Sequence, residues 1–429
     1  MPWAKPQSHL PLSRRVFMKN GALAIVGAAS IPSFLTRSVL AQTTTAQPRG
    51  KKLVVIFQRG AADGLNVVVP HREKTYYDLR PSIAIPQNQV IDLDGFFGLH
   101  PALQPLMPLW RANHLAIVHA CGSPDPTRSH FDAQDFMESG TPGLRSTTTG
   151  WLNRALVAED AADSCPCGGH PFRAVAIEPE LPLTLQGSIP SIALDNVRAF
   201  SVGGSNPAVS PIAAGFQTMY AGSVDTVLHG TAADTFQAVK MLKAADPGQY
   251  VPSPGANYPN GPFGQKMMQI AQLLKANLGV EAAFADIGGW DTHQNQGSVN
   301  GQLAGRLHEF SQSLAAFWTD LGDDAENISL VTMSEFGRTV HENGTGGTDH
   351  GHANVMFVLG GPVRGGKVYG KWPGMDKHQL YQDRDLAITT DFRQVLGEAA
   401  YRTLGARNME MVFPGANLQT SHFLNILQA

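Results

Sequence analysis

The chain has 429 residues, of which 43% are hydrophobic and 16% are charged, and its formal net charge at pH 7 is −3. This length suffices for one large domain, or for a domain with a sizeable cap, and the apolar content suffices to bury a core. The small negative charge gives no reason to propose nucleic acid as a partner. Cys121, Cys165 and Cys167 are the only cysteines, and an odd number excludes a disulfide framework.

The first residues carry the pattern of a twin-arginine export signal. The motif SRRVFMK at 13–19 is followed by a mostly apolar segment at 21–35 and by a small-residue cleavage site at 39–41. We therefore predict that residues 1–41 are removed as a signal peptide. A membrane anchor is the alternative, but the apolar segment contains Pro32 and is shorter than the ~20 residues that a spanning helix needs.

Export by this route implies a soluble mature protein that is periplasmic or secreted, with the twin-arginine translocation machinery as its partner during export. No other stretch is long and apolar enough to predict a stable membrane span. If the N-terminal segment is retained instead, the protein would be a membrane-tethered partner of another exported protein.

The mature chain alternates between patterns typical of buried strands and of amphipathic helices. Residues 42–50 are predicted to be a linker and residues 51–429 one α/β domain. The predicted strands are 52–57, 115–119, 174–177, 280–284, 328–333 and 355–359. The predicted helices are 133–139, 150–154, 263–278, 303–317 and 391–404, the last with Asp391 as its N-cap. This order predicts a three-layer α/β/α sandwich around a mostly parallel sheet.

Two stretches do not fit this alternation. Residues 188–262 have weak patterns rich in Ser, Pro and Gly, and we interpret them as an inserted cap. Cys165 and Cys167 flank a proline near His170, which allows a soft metal site, a local disulfide or a plain surface loop. We favour the loop, because two thiols and one imidazole are too few ligands for a closed zinc site.

Polar side chains with metal-binding chemistry follow several of the predicted strands. Asp63 lies in a glycine-rich loop after the first strand, where glycines let the backbone come close to a ligand. Thr127 and Ser129 precede the helix at 133–139, so one of them is expected at its N-cap, where backbone N–H groups favour anions. A hydroxyl mounted there could also act as a nucleophile.

The other strand-to-loop junctions add carboxylates and imidazoles. Asp291 and His293 follow the strand at 280–284, and Glu335 follows the strand at 328–333. The full set of candidate metal ligands is Asp63, His130, Asp291, His293, Glu335, Asp349, His350 and His352. In α/β sheets, ligands bind outside the carboxyl ends of the strands, so we expect these groups to meet there. Such donors suit one or two divalent ions of zinc, manganese or iron.

Several motifs carry a resemblance to a known family. They are RGAADGLNVVVP, TRSHFDAQDFMESG, GGWDTHQNQG, SEFGRT and GTDHGHAN, within residues 53–404. The chain resembles the alkaline phosphatase/sulfatase superfamily and, more closely, an exported domain-of-unknown-function family, 1501 (DUF1501), which is placed as a distant branch of it. The resemblance implies an alkaline-phosphatase-like fold and a metal-dependent active site.

The resemblance also implies roles for single residues. Asp63 matches the metal aspartate of the first strand, and Ser129, with Thr127 as the runner-up, matches the nucleophile. Asp291 with His293 resembles the Asp/His pair that holds the other metal. Glu335 stands at the Asp of a second Asp-His pair, and His350 resembles the late metal histidine.

The sequence departs from the superfamily at two points. Phe336 stands where the second pair needs a histidine, and Asp291 and His293 are closer in sequence than is usual. One metal site is therefore expected to be lost, or to be rebuilt with His130 or His352.

From these residues we expect a hydrolase that acts on a small anionic ester, a phosphate or a sulfate. Ser129 would attack, the metal would lower its pKa, and Arg59 or Arg128 would hold the anionic group. The alternative is a non-catalytic extracytoplasmic binding module that retains the fold with a degraded metal site, as Phe336 suggests.

Overall fold

The computed structural model describes residues 50–163, 172–197 and 249–428, and the backbone of two short paired strands, β1 (Phe17–Lys19) and β2 (Ala22–Ala24). The rest of the predicted signal peptide lies outside the described residues. So do the cysteine motif at 165–167 and residues 198–248 of the predicted cap.

One large sheet forms the centre of the protein. The strands that follow β2 are β3 (Lys52–Gln58), β4 (Val68–Val69), β5 (Ile91–Asp92), β6 (Gly98–Leu99), β7 (Leu115–Gly122), β8 (Ala174–Ala176), β9 (Ser191–Ala193), β10 (Ala282–Ile287), β11 (Ile328–Met333), β12 (Asn354–Gly360), β13 (Lys367–Tyr369) and β14 (Thr390–Asp391). The sheet runs β13-β7-β12-β11-β3-β10-β8-β9, with β14 also paired to β7, and β4, β6 and β5 form a separate small sheet. Within the large sheet only β12 is antiparallel to its neighbours, so the predicted mostly parallel α/β fold is confirmed.

The central strand β3 shows why the sheet is buried on both faces. Leu53, Val55 and Phe57 pack into one hydrophobic cluster, while Val54 and Ile56 pack into another, and all five are fully buried. Successive side chains of a strand point to opposite faces, so a continuous apolar run requires cover on each side.

Helices supply that cover on both faces of the sheet. They are α1 (Gly64–Val67), α2 (Lys74–Leu79), α3 (Met107–Arg111), α4 (His130–Ser139), α5 (Trp151–Asp163), α6 (Pro262–Lys275), α7 (Gln302–Leu321), α8 (Phe392–Thr403) and α9 (Met409–Val412). Residues of α6 and α7 pack with Val54 and Ile56, whereas residues of α5 and α8 pack with Leu53 and Val55. As predicted, Asp391 caps α8, because its side chain accepts a hydrogen bond from the Arg393 amide.

The direction of the strands decides where the polar loops lie. β11, β3 and β10 are parallel neighbours, and their last residues align in register, with Met333 beside Phe57 and Ile287 beside Gln58. The loops that follow these three strands therefore leave the same edge of the sheet. Because β12 is antiparallel to β11, the loop between them both begins and ends at that edge. Within the described part of the chain, no helix is long and apolar enough to cross a membrane.

Asp320 fixes the chain where the described structure resumes before α6. Its buried carboxylate accepts hydrogen bonds from the hydroxyls of Tyr250 (2.6 Å) and Tyr258 (2.9 Å), the amide of Ser253 (2.8 Å) and the ammonium of Lys275 (2.9 Å). Burial alone would raise the pKa of Asp320, but these bonds outweigh it, and the pKa lies below its ordinary value.

We expect Asp320→Asn to destabilise the protein at neutral pH and to reduce its sensitivity to acid. A depressed pKa means that the unfolded state binds the proton more readily, so this stabilisation is present above the unfolded pKa and disappears as pH falls through the folded pKa. Urea unfolding at pH 7 and below pH 4 measures both effects. Asp323→Asn, at an exposed position, is the control and should change neither. An Asp320→Asn variant with wild-type stability at pH 7 would contradict this account.

Candidate metal centre

Four loops meet at the edge of the sheet where β3, β10 and β11 end. They are the loops after β3 and β10, the loop between β11 and β12, and the loop that leads from β7 to α4. One close approach is at Gly60, where an added Cβ would lie 2.8 Å from the Asp291 amide nitrogen. Only glycine allows the loop after β3 to lie so close to the loop after β10. The two ends of the β11–β12 loop also pair, because the Thr339 amide donates to Asp349 O (2.9 Å) and the Gly351 amide donates to Gly337 O (2.8 Å).

Asp291 lies at the centre of a group of three imidazoles. Its carboxylate oxygens are 3.1 Å from His293 Nε2, 3.5 Å from His350 Nε2 and 3.5 Å from His130 Nε2. One ligand atom each from His130, Asp291 and His350 lies within 4.8 Å of the others. His293 Nε2 is also only 3.0 Å from His350 Nε2. Four of the eight candidate ligands are thus brought together.

Each imidazole uses its other nitrogen to contact a hydrogen-bond acceptor. His130 Nδ1 lies 2.8 Å from Glu335 Oε1, and His293 Nδ1 lies 3.0 Å from Asp349 Oδ1. His350 Nδ1 lies 2.8 Å from the backbone carbonyl of Arg128. Ionised carboxylates and carbonyls only accept, so each Nδ1 carries the proton and donates. The lone pair of each neutral imidazole is then on Nε2, which faces Asp291.

Without a positive ion this arrangement is unfavourable. His293 Nε2 and His350 Nε2 lie only 3.0 Å apart, and His130 Nε2 is buried with no hydrogen-bond partner. A lone pair needs a donor or a cation, and a buried polar atom left unpaired is costly. Burial lowers the pKa of His350, whereas the hydrogen bond to Glu335 raises the pKa of His130. A shared metal ion would satisfy all three nitrogens.

The spacing of these atoms fits a metal of the size of zinc. Zinc binds nitrogen and oxygen at ~2.0–2.1 Å, and the edges of such a tetrahedron are about 3.4 Å long. The measured separations of 3.0 to 3.5 Å around Asp291 agree with such edges. His130, Asp291 and His350 are therefore arranged so that they could hold a divalent ion, with His293 in contact with two of them.

Glu335 and Asp349 orient ligands rather than bind the ion in this arrangement. Glu335 is buried, and its Oε1 also accepts from the Gly60 amide and Gln134 Nε2, both at 2.8 Å. Burial would raise the pKa of Glu335, but the hydrogen bonds from His130 and Gln134 outweigh it and lower the pKa. Burial likewise opposes the hydrogen bonds to Asp349, whose pKa is also lowered. Both carboxylates therefore stay ionised and fix the imidazole tautomers.

We expect Glu335→Gln to weaken metal binding by about 10–100-fold, the range typical of a residue that holds a ligand without contacting the ion. Glutamine keeps the shape of the side chain but removes the charge that fixes His130. Competition with a chelating dye measures the affinity. Glu326→Gln, at an exposed position, is the control and should leave the affinity unchanged. Wild-type affinity in Glu335→Gln would mean that His130 is not held in this way.

A buried guanidinium lies on the far side of Asp291. Arg338 is 1% exposed, and its Nη2 donates to Asp291 Oδ1 at 2.6 Å. Its other donors bind the carbonyls of Gly60, Ala61, Trp290 and Thr348. One side chain thus joins the loops after β3, β10 and β11. It also helps to lower the pKa of Asp291, against the opposing effect of burial.

Phe336 closes the other side of the group. Its ring centroid lies 5.0 Å from that of His130 and 4.9 Å from that of His350, and the side chain is buried. An apolar ring thus lies beside two of the three imidazoles. Elsewhere in the described residues, no second group of His, Cys, Asp and Glu is arranged to hold an ion.

Two predicted metal ligands lie in other surroundings. Asp63 is fully buried and pairs with the fully buried Arg80 at 2.7 Å, while Gln296 Nε2 donates to it at 2.6 Å. His352 stacks on Tyr381, with 4.3 Å between ring centroids. Neither residue belongs to the group around Asp291.

The two arginines predicted to hold an anion are engaged in ion pairs. Arg59 contacts Asp286 Oδ2 at 2.7 Å and Glu138 Oε1 at 2.9 Å. Arg128 contacts the buried carboxylate of Asp385 at 2.6 Å. What Arg128 contributes to the centre is its backbone carbonyl, which positions His350.

Ser129 occupies the N-cap position of α4, directly before His130. It is exposed, and its hydroxyl makes no capping hydrogen bond, so it remains available. Thr127 Oγ1 instead accepts a hydrogen bond from the Ser129 amide at 3.2 Å. The structure therefore places a free hydroxyl at a helix N-terminus, one residue from a candidate ligand.

Sequence reasoning did not single out Arg338, Arg80 or Arg384. Arg338 and Arg80 bind backbone carbonyls more than 250 positions away, and Arg384 binds the carbonyl of His350, 34 positions away. The motif SEFGRT contains Arg338, but nothing in the motif shows that the side chain reaches back to Gly60 and Asp291.

Comparisons with known proteins identify a family and give only loose structural likenesses. A family model described as "Protein of unknown function (DUF1501)" matches residues 50–412. Among curated proteins, none matches the sequence. Among solved structures, the lipoteichoic acid synthase LtaP from Listeria monocytogenes is similar at 9% identity with a TM-score of 0.31. The alignment covers 73% of this chain and 66% of the LtaP chain, which is just under two thirds of its length.

Proposed function

We propose that this chain, which belongs to the DUF1501 family, is an exported metal-dependent hydrolase of phosphate or sulfate esters. The observation that carries the proposal is the convergence of three imidazole Nε2 atoms on the Asp291 carboxylate, with each Nδ1 bonded to an acceptor. Histidines oriented in this way are typical of metal ligands. We further propose that the family is a distant branch of the alkaline phosphatase/sulfatase superfamily with a three-layer sandwich fold. The mostly parallel sheet, with helices on both faces, supports this.

The ligand set favours a single ion. His130, Asp291 and His350 form the core of the site, and His293, at 39% side-chain exposure, is the fourth ligand and the most exposed of the three imidazoles. Three nitrogens and one carboxylate oxygen suit zinc better than magnesium or calcium, with manganese and iron as alternatives. The ring of Phe336 excludes a second ion on its side of the group.

The chain's own groups define the reaction. When bound, a divalent ion lowers the pKa of an oxygen nucleophile and stabilises negative charge on the ester. Ser129 Oγ would lose its proton to solvent and bond to phosphorus or sulfur as the bond to the alcohol oxygen breaks, and the alcohol would leave with a proton from solvent. Water would then cleave the ester on Ser129 and restore its hydroxyl. The free amides at the start of α4 would stabilise the charge on the transferred group. Glu335 and Asp349 hold two imidazoles in place throughout.

A second function, in another class, is supported by a specific observation. Both arginines predicted to bind the anion, Arg59 and Arg128, are neutralised by carboxylates. A binding module that uses a bound metal to capture a ligand would not need them or Ser129. Export to the periplasm or the medium by the twin-arginine route is proposed in both cases, from the motif at 13–19.

The test is elemental analysis of protein exported through its own pathway, together with assays of aryl phosphate and aryl sulfate hydrolysis. We expect one zinc, manganese or iron ion per chain and hydrolysis that is lost on chelation. Ser129→Ala should abolish hydrolysis and keep the metal, whereas Ser146→Ala, at an exposed position, should change neither. A metal-free protein refutes the centre. Metal without hydrolysis, or hydrolysis unaffected by Ser129→Ala, refutes the proposed enzyme, and the former supports the binding module.

A further inference from the structure

Arg384 differs from the other arginines near the centre. Arg59 and Arg128 are paired with carboxylates, and Arg338 is buried with its donors on Asp291 and backbone carbonyls. The side chain of Arg384 is 39% exposed. An exposed guanidinium has donors that a ligand can reach, and its planar fork matches phosphate and sulfate oxygens.

A backbone contact fixes Arg384 beside the metal ligands. Its Nη2 donates to the carbonyl oxygen of His350 at 2.7 Å. The nearest carboxylate, of Asp385, is 3.7 Å from Arg384 Nη1 but only 2.6 Å from Arg128, which is its main partner. The charge of Arg384 is therefore only weakly neutralised. Its field also contributes to lowering the pKa of Asp349, after burial and the hydrogen bonds to that residue.

The loop that carries Arg384 is held in one conformation. Gln382 and Asp383 both have positive φ angles, +54° and +53°, which residues other than glycine rarely adopt. Tyr381 and Asp385 exchange two backbone hydrogen bonds across this turn, at 2.8 and 3.0 Å. The Val340 amide donates to the Arg384 carbonyl at 3.3 Å, which ties the turn to the loop after β11. The backbone of this turn therefore fixes the position of Arg384.

The charges of the centre show when an anion would bind. Glu335, Asp291 and Asp349 supply three negative charges, and Arg338 and Arg384 supply two positive ones. The protein groups alone therefore repel an anion. A divalent ion makes the same group net positive, and Arg384 is the partly exposed part of that charge.

We propose that Arg384 binds the anionic phosphoryl or sulfuryl group of the ligand, and that it does so only when the metal is present. This inference rests on the proposed metal centre. It assigns to Arg384 the role that the sequence suggested for Arg59 or Arg128. The guanidinium of Arg384 extends from the 381–385 turn and would contact the anion. Its hydrogen bond to the backbone carbonyl of His350 would hold the guanidinium in place.

The experiment measures the binding of inorganic phosphate and of inorganic sulfate to the zinc-loaded protein by calorimetry. Arg384→Met is expected to weaken binding of the preferred anion about tenfold or more, the loss typical of a hydrogen bond between charged groups. Arg384→Lys should be intermediate, because it keeps the charge without the fork. Arg72→Met is the matched control, since Arg72 is exposed and donates to a backbone carbonyl, that of Gly95. Metal-free wild-type protein should bind neither anion.

Zinc affinity, measured separately on each variant, distinguishes the possible failures. Unchanged anion binding in Arg384→Met overturns the inference. So does a loss of zinc affinity as large as the loss of anion affinity, because Arg384 would then only support His350. Zinc-loaded wild-type protein that binds neither anion overturns the inference but leaves the metal centre standing. If the wild-type protein does not bind zinc, manganese or iron, the proposed function itself fails.

Discussion

Asp291→Asn is expected to lower the zinc affinity of the protein by more than about 100-fold, beyond the 10–100-fold typical of residues that only orient a ligand. Asparagine keeps the shape of the side chain and an oxygen that can accept from Arg338 Nη2. It removes the negative charge around which His130, His293 and His350 are grouped. Any hydrolysis that depends on the metal should fall with the affinity.

Chelator competition on the purified variant measures this effect. Asp132→Asn is the control, because Asp132 lies on α4 close to His130 but pairs with the exposed Arg145. Its zinc affinity should match that of the wild type. If Asp291→Asn also bound zinc with wild-type affinity, the ion would have to lie elsewhere, and the centre described above would be wrong.

Asp63→Ala is expected to lower the free energy of unfolding by about 3–5 kcal/mol, the cost of removing one partner from a buried ion pair. Both Asp63 and Arg80 have 0% side-chain exposure. Arg80 would keep its bonds to the carbonyls of Thr339 and Val340, but its charge would be left without a carboxylate. The folded variant should still bind one metal ion, because Asp63 is not part of the ligand group.

Urea unfolding measures what Asp63 contributes to stability, and the metal content of the folded fraction shows whether Asp63 is also a metal ligand. Asp78→Ala is the matched control, because Asp78 forms an ion pair with Lys74 in which both side chains are largely exposed. It should change stability by less than about 1 kcal/mol. A stable Asp63→Ala protein that has lost its metal would restore Asp63 as a ligand.

Much of the fold could be predicted from the sequence because its signals are local. The apolar run of β3 and the helical spacing along α7 identify those elements without knowledge of their neighbours. The position of the candidate site could also be predicted from the sequence, because the carboxyl ends of parallel strands lie at one edge of a sheet. Asp291, His293, His350 and His130 meet at that edge.

The roles of single carboxylates could not be predicted in the same way. A carboxylate beside a strand end can bind a metal, hold an imidazole or pair with an arginine, and the choice depends on contacts between distant residues. Asp63 forms an ion pair with Arg80, and Glu335 contacts the imidazole of His130, which is 205 positions away in the sequence. The antiparallel direction of β12, which returns His350 to the edge, has no signal in a short apolar run.

The guanidinium of Arg338 has a consequence for how the metal enters. A chelator would remove a metal ion but not the side chain of Arg338. Its hydrogen bonds would therefore still hold the three loops together in metal-free protein. If the proposed ion binds, we therefore expect metal binding to follow the folding of the protein rather than to complete it. Stripped protein should stay folded, with a melting temperature lowered by the lost free energy of metal binding, and should regain the ion within the time of mixing.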